Sequence, residues 1–159
     1  MLFRSTARRT GTKLSIIESG RKINEKMPQH VVELTSDAFQ ECNKSIQNSE
    51  ILILGVSYKP NVKDIQLSPA EYIIEKFQNL GANVHIYDPN FSSTEVFGIK
   101  VEDNLDDVLS KMDAAVIVTG HDDFKKIEIS SFAKMKTPIL IDTRGIIEPQ
   151  SVKQHNIIF

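Results

Sequence analysis

The chain is expected to be α/β, with a Rossmann-like parallel sheet flanked by helices and preceded by a long amphipathic, kinked helical segment. Three observations support this. From Glu50 onward, short apolar runs alternate with helical periods, the pattern of a parallel sheet with crossover helices. From Leu14 to about Ile46 the apolar residues instead recur at helical spacing. Between the first apolar run and the helix after it stands a polar stretch, 55–69, roughly twice the about 2–6 residues usual for a strand-to-helix loop.

Each element follows from its residues. In the N-terminal segment Ile16, Ile17, Ile23 and Met27 are followed by Val31, Leu34, Ala38, Cys42 and Ile46, with Pro28 predicting a break or kink at Met27–Pro28. Such a stripe must be buried, either against its own domain or against a second copy of the chain. Strands are predicted over 51–54, 83–87, 114–118 and 139–141. Helices are predicted over 69–80, 105–111 and, more weakly patterned, 130–134. Gly81 is a fitting stop for the first of these helices. The stretch 90–101 reads as irregular with a short strand at 98–101, and Asn156 to Phe159 reads as a final strand or tail. The domain division is a helical segment over 1–48 and a Rossmann-like domain over 49–159.

Composition narrows the function. Of 159 residues, 25% are charged and the net charge is −2, so neither a nucleic-acid footprint nor a polybasic membrane patch is implied. No apolar stretch approaches the ~20 residues needed to span a bilayer. Met1 to Ser5 has no sustained apolar core behind it and is not read as a secretory leader. A single cysteine, Cys42, excludes internal disulfides, fits a reducing cytoplasm and reads as an inert thiol.

Every predicted strand ends in polar residues: Lys59 and Asp64, then Asp88-Pro89, then Thr119 to Asp123, then Asp142 to Gly145. A parallel sheet brings such clusters to one edge, which predicts a single mixed-charge crevice. The loop after the first strand has only Gly55, where a dinucleotide cradle needs three glycines. Lys59 and Arg144 can supply charge-assisted hydrogen bonds to phosphate or hydroxyl oxygens. Asp88 is read as a turn former ahead of Pro89. His121 has no paired nucleophile and is given a supporting role. Neither metal-ligand spacing nor a Ser-His-Asp arrangement is present.

These residues carry a resemblance. The run 55–70, G-V-S-Y-K-P-N-V-K-D-I-Q-L-S-P-A, resembles the C-terminal domain of the UDP-glucose/GDP-mannose dehydrogenase family. The run 20–34 looks like that family's central dimer helix, and V-H-I-Y-D-P, V-I-V-T-G-H-D-D-F and I-D-T-R-G follow in the family's order. The resemblance implies NAD-dependent oxidation of a nucleotide-sugar C6 hydroxyl to a carboxylate through a cysteine thiohemiacetal and thioester, with this domain holding the nucleotide end. Carried over by motif, Lys59 and Arg144 contact the nucleotide-sugar with Tyr58 beside them, Asp64 and His121 support the loop, and the 20–48 helix pairs two copies.

Gln66 stands where the family often has an arginine directed at the NAD pyrophosphate. The chain is expected to start just past the family's G-G-H-C-I-P-x-D-P segment, with Cys42 on the dimer helix rather than at the catalytic position. It is therefore expected to be inactive alone. Met27-Pro28 and Tyr58 look more like the UDP-N-acetylhexosamine branch. The alternatives are a stand-alone nucleotide-sugar-binding or dimerisation module without catalysis, and an α/β domain whose crevice is vestigial.

Overall fold

A computed structural model describes residues 14–159. The first thirteen residues of the helical segment, including those of the leader reading, lie outside them. Four parallel strands form the sheet: β1 (Glu50–Leu54), β2 (Asn83–Tyr87), β5 (Ala114–Ile117) and β6 (Ile139–Asp142), in the order β2-β1-β5-β6. The central pair, β1 and β5, is apolar on both faces, and Ile51 to Leu54 and Ala114 to Ile117 are fully buried. Ile51, Ile53 and Val116 face one layer; Leu52, Leu54, Ala115 and Ile117 face the other.

The first layer contains α1 (Ser15–Glu41) and α2 (Pro69–Asn79). Ser68 caps α2 by accepting the Ala70 amide, Pro69 takes its first turn, and Ile73, Ile74 and Phe77 face the sheet. The second layer contains α3 (Leu105–Leu109), α4 (Ile129–Phe132) and α5 (Pro149–Lys153), with a 3₁₀ turn at Phe124–Lys126. The chain moves from β1 outward to β2, then back across to β5. The topological switch point therefore lies between the carboxyl ends of β1 and β5, where a ligand crevice belongs.

Some details differ from the sequence reading. The break expected at Met27–Pro28 is absent: α1 continues through Pro28 as one helix of 27 residues. Proline costs a helix interior about 3 kcal/mol, but the turns that follow it are anchored by Val31, Val32, Thr35, Ala38 and Phe39, all buried. Val31 and Ala38 of the stripe thus pack within the chain, against α2 and β6, while Ile16, Ile17, Ile23, Met27 and Leu34 remain exposed. Cys42, just past α1, is half-buried beside the core, and burial pushes its thiol pKa up.

In place of one short strand at 98–101 stands a tight hairpin, β3 (Glu95–Val96) with β4 (Ile99–Lys100). Its two turn residues, Phe97 and Gly98, both have positive φ, as a type I′ turn requires. Single parallel bridges extend the sheet at both sides, Val101 beside Ile86 of β2 and Ile158 beside Ile139 of β6.

Candidate functional site

The long polar loop folds back on the sheet edge and is tied down at several points. Gly55 turns the chain at φ +84°, and a Cβ there would stand 2.6 Å from the Thr119 carbonyl, so only glycine fits between the ends of β1 and β5. The Thr119 hydroxyl donates to the Ser57 carbonyl at 2.6 Å. Tyr58 N–H donates to the Asp64 carbonyl at 2.7 Å, closing the loop on itself, and Gln66 N–H donates to the Asp64 carboxylate at 2.9 Å. Asn61 sits at φ +61°, a conformation asparagine tolerates better than most residues. Its side chain bridges to Asp122, donating to the carboxylate at 2.7 Å and accepting the Asp122 amide at 3.1 Å.

At the centre of these ties is a buried pair. Asp88, at the end of β2, and His121, after β5, are both fully buried. One Asp88 carboxylate oxygen accepts the Val56 amide at 2.8 Å, the Ser57 amide at 3.3 Å and the Ser57 hydroxyl at 3.2 Å, and lies 3.1 Å from His121 Nε2. The other oxygen accepts the Asn90 amide at 2.9 Å, the local turn expected ahead of a proline-led loop. Burial works against the Asp88 charge, but hydrogen bonds from His121 and from the Val56 and Asn90 amides outweigh it and hold its pKa below the usual value. On the far side of the ring, His121 Nδ1 accepts the Asn61 amide at 2.9 Å.

Arg144 is placed by a second device. The Asp142 carboxylate accepts four backbone amides, those of Arg144, Gly145, Ile146 and Ile147, and so curls the chain at the end of β6. Arg144 Nε then donates to the Val118 carbonyl at 2.6 Å. A Cβ at Gly120 would come within 3.0 Å of Ile146 and 3.3 Å of Arg144, so the missing side chain lets the two loops close. Arg144 and Thr143 line a cleft of about 330 Å³ with Val118, Pro69 and Ile73 on one side and Asn24, Met27, Pro28 and Val31 of α1 on the other.

The expected crevice is thus only partly polar-walled. Asp88 and His121, expected among its mixed charges, point inward, because the loop's own amides require a buried acceptor. Lys59 and Tyr58 lie outward on the tied loop, both exposed, with the Lys59 ammonium 5.5 Å from the centre of the Tyr58 ring. Asn61, Ser57, Thr119 and Asp142 were not singled out as individual functional residues, although all position the loops that carry the exposed cations. The one available signal was Asn61 after Pro60, a turn pair. Among the described residues the 55–69 loop has Gly55 as its single glycine, and the Asp88 carboxylate is occupied by backbone amides. No cluster of metal-ligating side chains occurs among the described residues.

Residues 52–149 match the family described as the UDP-glucose/GDP-mannose dehydrogenase family, UDP binding domain. The chain is 34% identical over 138 residues to the UDP-N-acetyl-D-mannosamine dehydrogenase of Pyrococcus horikoshii, a match covering 86% of this chain and 31% of that protein. It is 30% identical over 159 residues to the UDP-glucose 6-dehydrogenase of Bacillus subtilis, covering 96% and 33%. The solved NDP-N-acetyl-D-galactosaminuronic acid dehydrogenase of Methanosarcina mazei superposes with a TM-score of 0.85 at 25% identity, over 98% of this chain and 34% of that one. The chain spans about a third of the length of the relatives it matches. Family, fold and the tied loop agree, and this chain belongs to the UDP-glucose/GDP-mannose dehydrogenase family, in which it corresponds to the UDP-binding domain.

Proposed function

We propose that this chain holds the nucleotide end of a UDP-sugar for an NAD-dependent nucleotide-sugar 6-dehydrogenase. The observation that carries this reading is the loop 55–68: its backbone is fixed from within by Asp88 and His121, while Lys59 stays exposed at the carboxyl edge of the sheet. A diphosphate needs preplaced cations, and a fixed backbone reduces the entropy lost on binding. In this reading Lys59 and Arg144 contact the diphosphate, Tyr58 lies alongside, and Asp64 and His121 keep the loop in shape. Family members are NAD-dependent dehydrogenases. Because the described residues offer NAD no glycine cradle, and Gln66 replaces the family's arginine, we assign this chain the nucleotide-sugar rather than the cofactor.

The finer assignments follow from the same reading. A UDP-N-acetylhexosamine is the favoured sugar, supported by the Met27-Pro28 and Tyr58 pattern and by the named activity of the Pyrococcus horikoshii relative. Two copies pair through the 20–48 helix, whose exposed Ile23, Met27 and Leu34 have no cover among the described residues. The division into a pairing segment over 1–48 and a binding domain over 49–159 rests on that pairing. A cytoplasmic setting fits the free Cys42, and no helix among the described residues is long and apolar enough to cross a membrane.

Titration calorimetry with UDP-N-acetylglucosamine tests the site. Lys59→Ala is expected to weaken binding about tenfold or more, the scale of a hydrogen bond to a charged group, with unfolding unchanged. Full affinity in that variant would sink the assignment. A strictly monomeric mass by light scattering at high concentration would remove the pairing helix.

A further inference from the structure

The inference concerns how the Lys59 loop is held, and it rests on the reading of that loop as the ligand contact. His121 is enclosed on every side. Asp88 and Asn90 face it from the end of β2, the Asn61 amide from the loop, and Phe124 from the 3₁₀ turn, its ring edge-on at 5.3 Å. The nearest other charges are paired outside the enclosure: Asp122 with Lys125, and Asp123 with Lys126, each at 2.7 Å. Lys59 and Lys63 lie on the loop's exposed side. The ring's hydrogen bonds therefore define its protonation. Nδ1 receives the Asn61 N–H at 2.9 Å, with the Asn90 side-chain amide a further 3.4 Å donor, so Nδ1 must present a lone pair. The ring's proton then sits on Nε2 and is donated to Asp88.

We propose that His121 is the positioning residue of the Lys59 loop, that it works as the neutral Nε2–H tautomer, and that a second proton at Nδ1 breaks its bond to the Asn61 amide, loosens the Lys59 segment and weakens its hold on the nucleotide-sugar. A protonated Nδ1 turns an acceptor into a donor directed at two other donors. The Asn61 amide bond to the ring cannot survive that change, and Asn61 is then held through its side-chain bonds to the exposed Asp122. Asp88 still holds Val56 and Ser57, so the loop's base stays in place while the segment around Lys59, left with the Asp122 and Asp64 ties, loosens. Nucleotide-sugar affinity becomes pH-sensitive through a residue that does not touch the ligand.

The test uses the full chain and UDP-N-acetylglucosamine, whose diphosphate diester stays ionised throughout. Affinity is measured from about pH 8 to about pH 5. Wild type is expected to lose up to about tenfold per pH unit once His121 takes its proton, the limit for one linked proton. In His121→Asn the side-chain oxygen can accept the Asn61 amide and takes no proton, so binding, weaker at neutral pH, should hold steady into acid. A flat wild-type profile, or an equal acid loss in His121→Asn, overturns the proposal.

A ligand-free readout stands beside it. Nitrogen chemical shifts of the His121 ring should report the Nε2–H tautomer at neutral pH, with exchange of the Asn61 amide accelerating as the ring is protonated. A doubly protonated ring with a still-protected Asn61 amide overturns the lock. If the lock behaves as expected but no binding occurs at any pH, the nucleotide-sugar reading fails and the lock stands.

Discussion

Two histidines beside carboxylates, at opposite ends of the sheet, show how surroundings set what a side chain can do. His121, at the carboxyl edge, is fully buried between one carboxylate and one backbone amide. His85, on β2, is half-exposed between two carboxylates, 2.8 Å from Glu50 and 3.1 Å from Glu102. A ring flanked by two carboxylates donates to both only as the imidazolium; a ring that accepts an amide does so only when neutral. One residue type thus makes a clasp between two carboxylates at one end and a latch between a carboxylate and a backbone amide at the other. The clasp lines a cleft of about 360 Å³ with Asp107, Lys111 and Lys136, where charges of both signs stay wet. The latch excludes water and organises a loop.

The contrast can be broken by mutation. Asp88→Ala should have the largest effect. It leaves the Val56 and Ser57 amides, the Ser57 hydroxyl and His121 Nε2–H without their shared buried acceptor. Removing one partner of such a network costs about 3–5 kcal/mol, readable as a shifted urea midpoint. Acid sharpens the point. Because the folded pKa of Asp88 is depressed, its stabilisation is present above the ordinary carboxylate range near ~4 and is lost as pH falls through its lower folded value. The variant should lack that part of the acid dependence, and an unchanged acid profile would contradict the assignment. At the other end, His85→Ala should cost less than about 1 kcal/mol, since its two pairs are solvent-screened. A loss comparable with that of Asp88→Ala would erase the distinction.

The sheet was readable because its signal is dense. Ile51 to Leu54 and Ala114 to Ile117 are unbroken apolar runs, and their burial on both faces is what such runs mean in a parallel sheet. The loop was readable because it is too long and too polar for its place. What sequence could not give was direction. Asp88 and His121 look the same whether they face solvent or protein, and only the loop's need for buried acceptors turns them inward. The β3–β4 hairpin escaped notice because its arms are two residues each, too short for any period to register. The course of α1 through Pro28 escaped because it depends on the packing of Val31 and Phe39 downstream, a tertiary effect that outweighs a local preference.

The two single bridges at the flanks of the sheet bear on how this protein keeps to itself in a crowded solution. An outer strand with a free row of amides and carbonyls is a template on which another chain can grow. On one flank Val101 lies along β2, and the Glu102 amide takes up the Ile86 carbonyl. On the other, Ile158 accepts the Leu140 amide and donates to the Pro138 carbonyl, covering β6. Each bridge is one residue long, enough to interrupt the ladder without becoming a strand with an open side of its own. The apolar core strands are thereby shielded from edge-to-edge aggregation by two short stoppers.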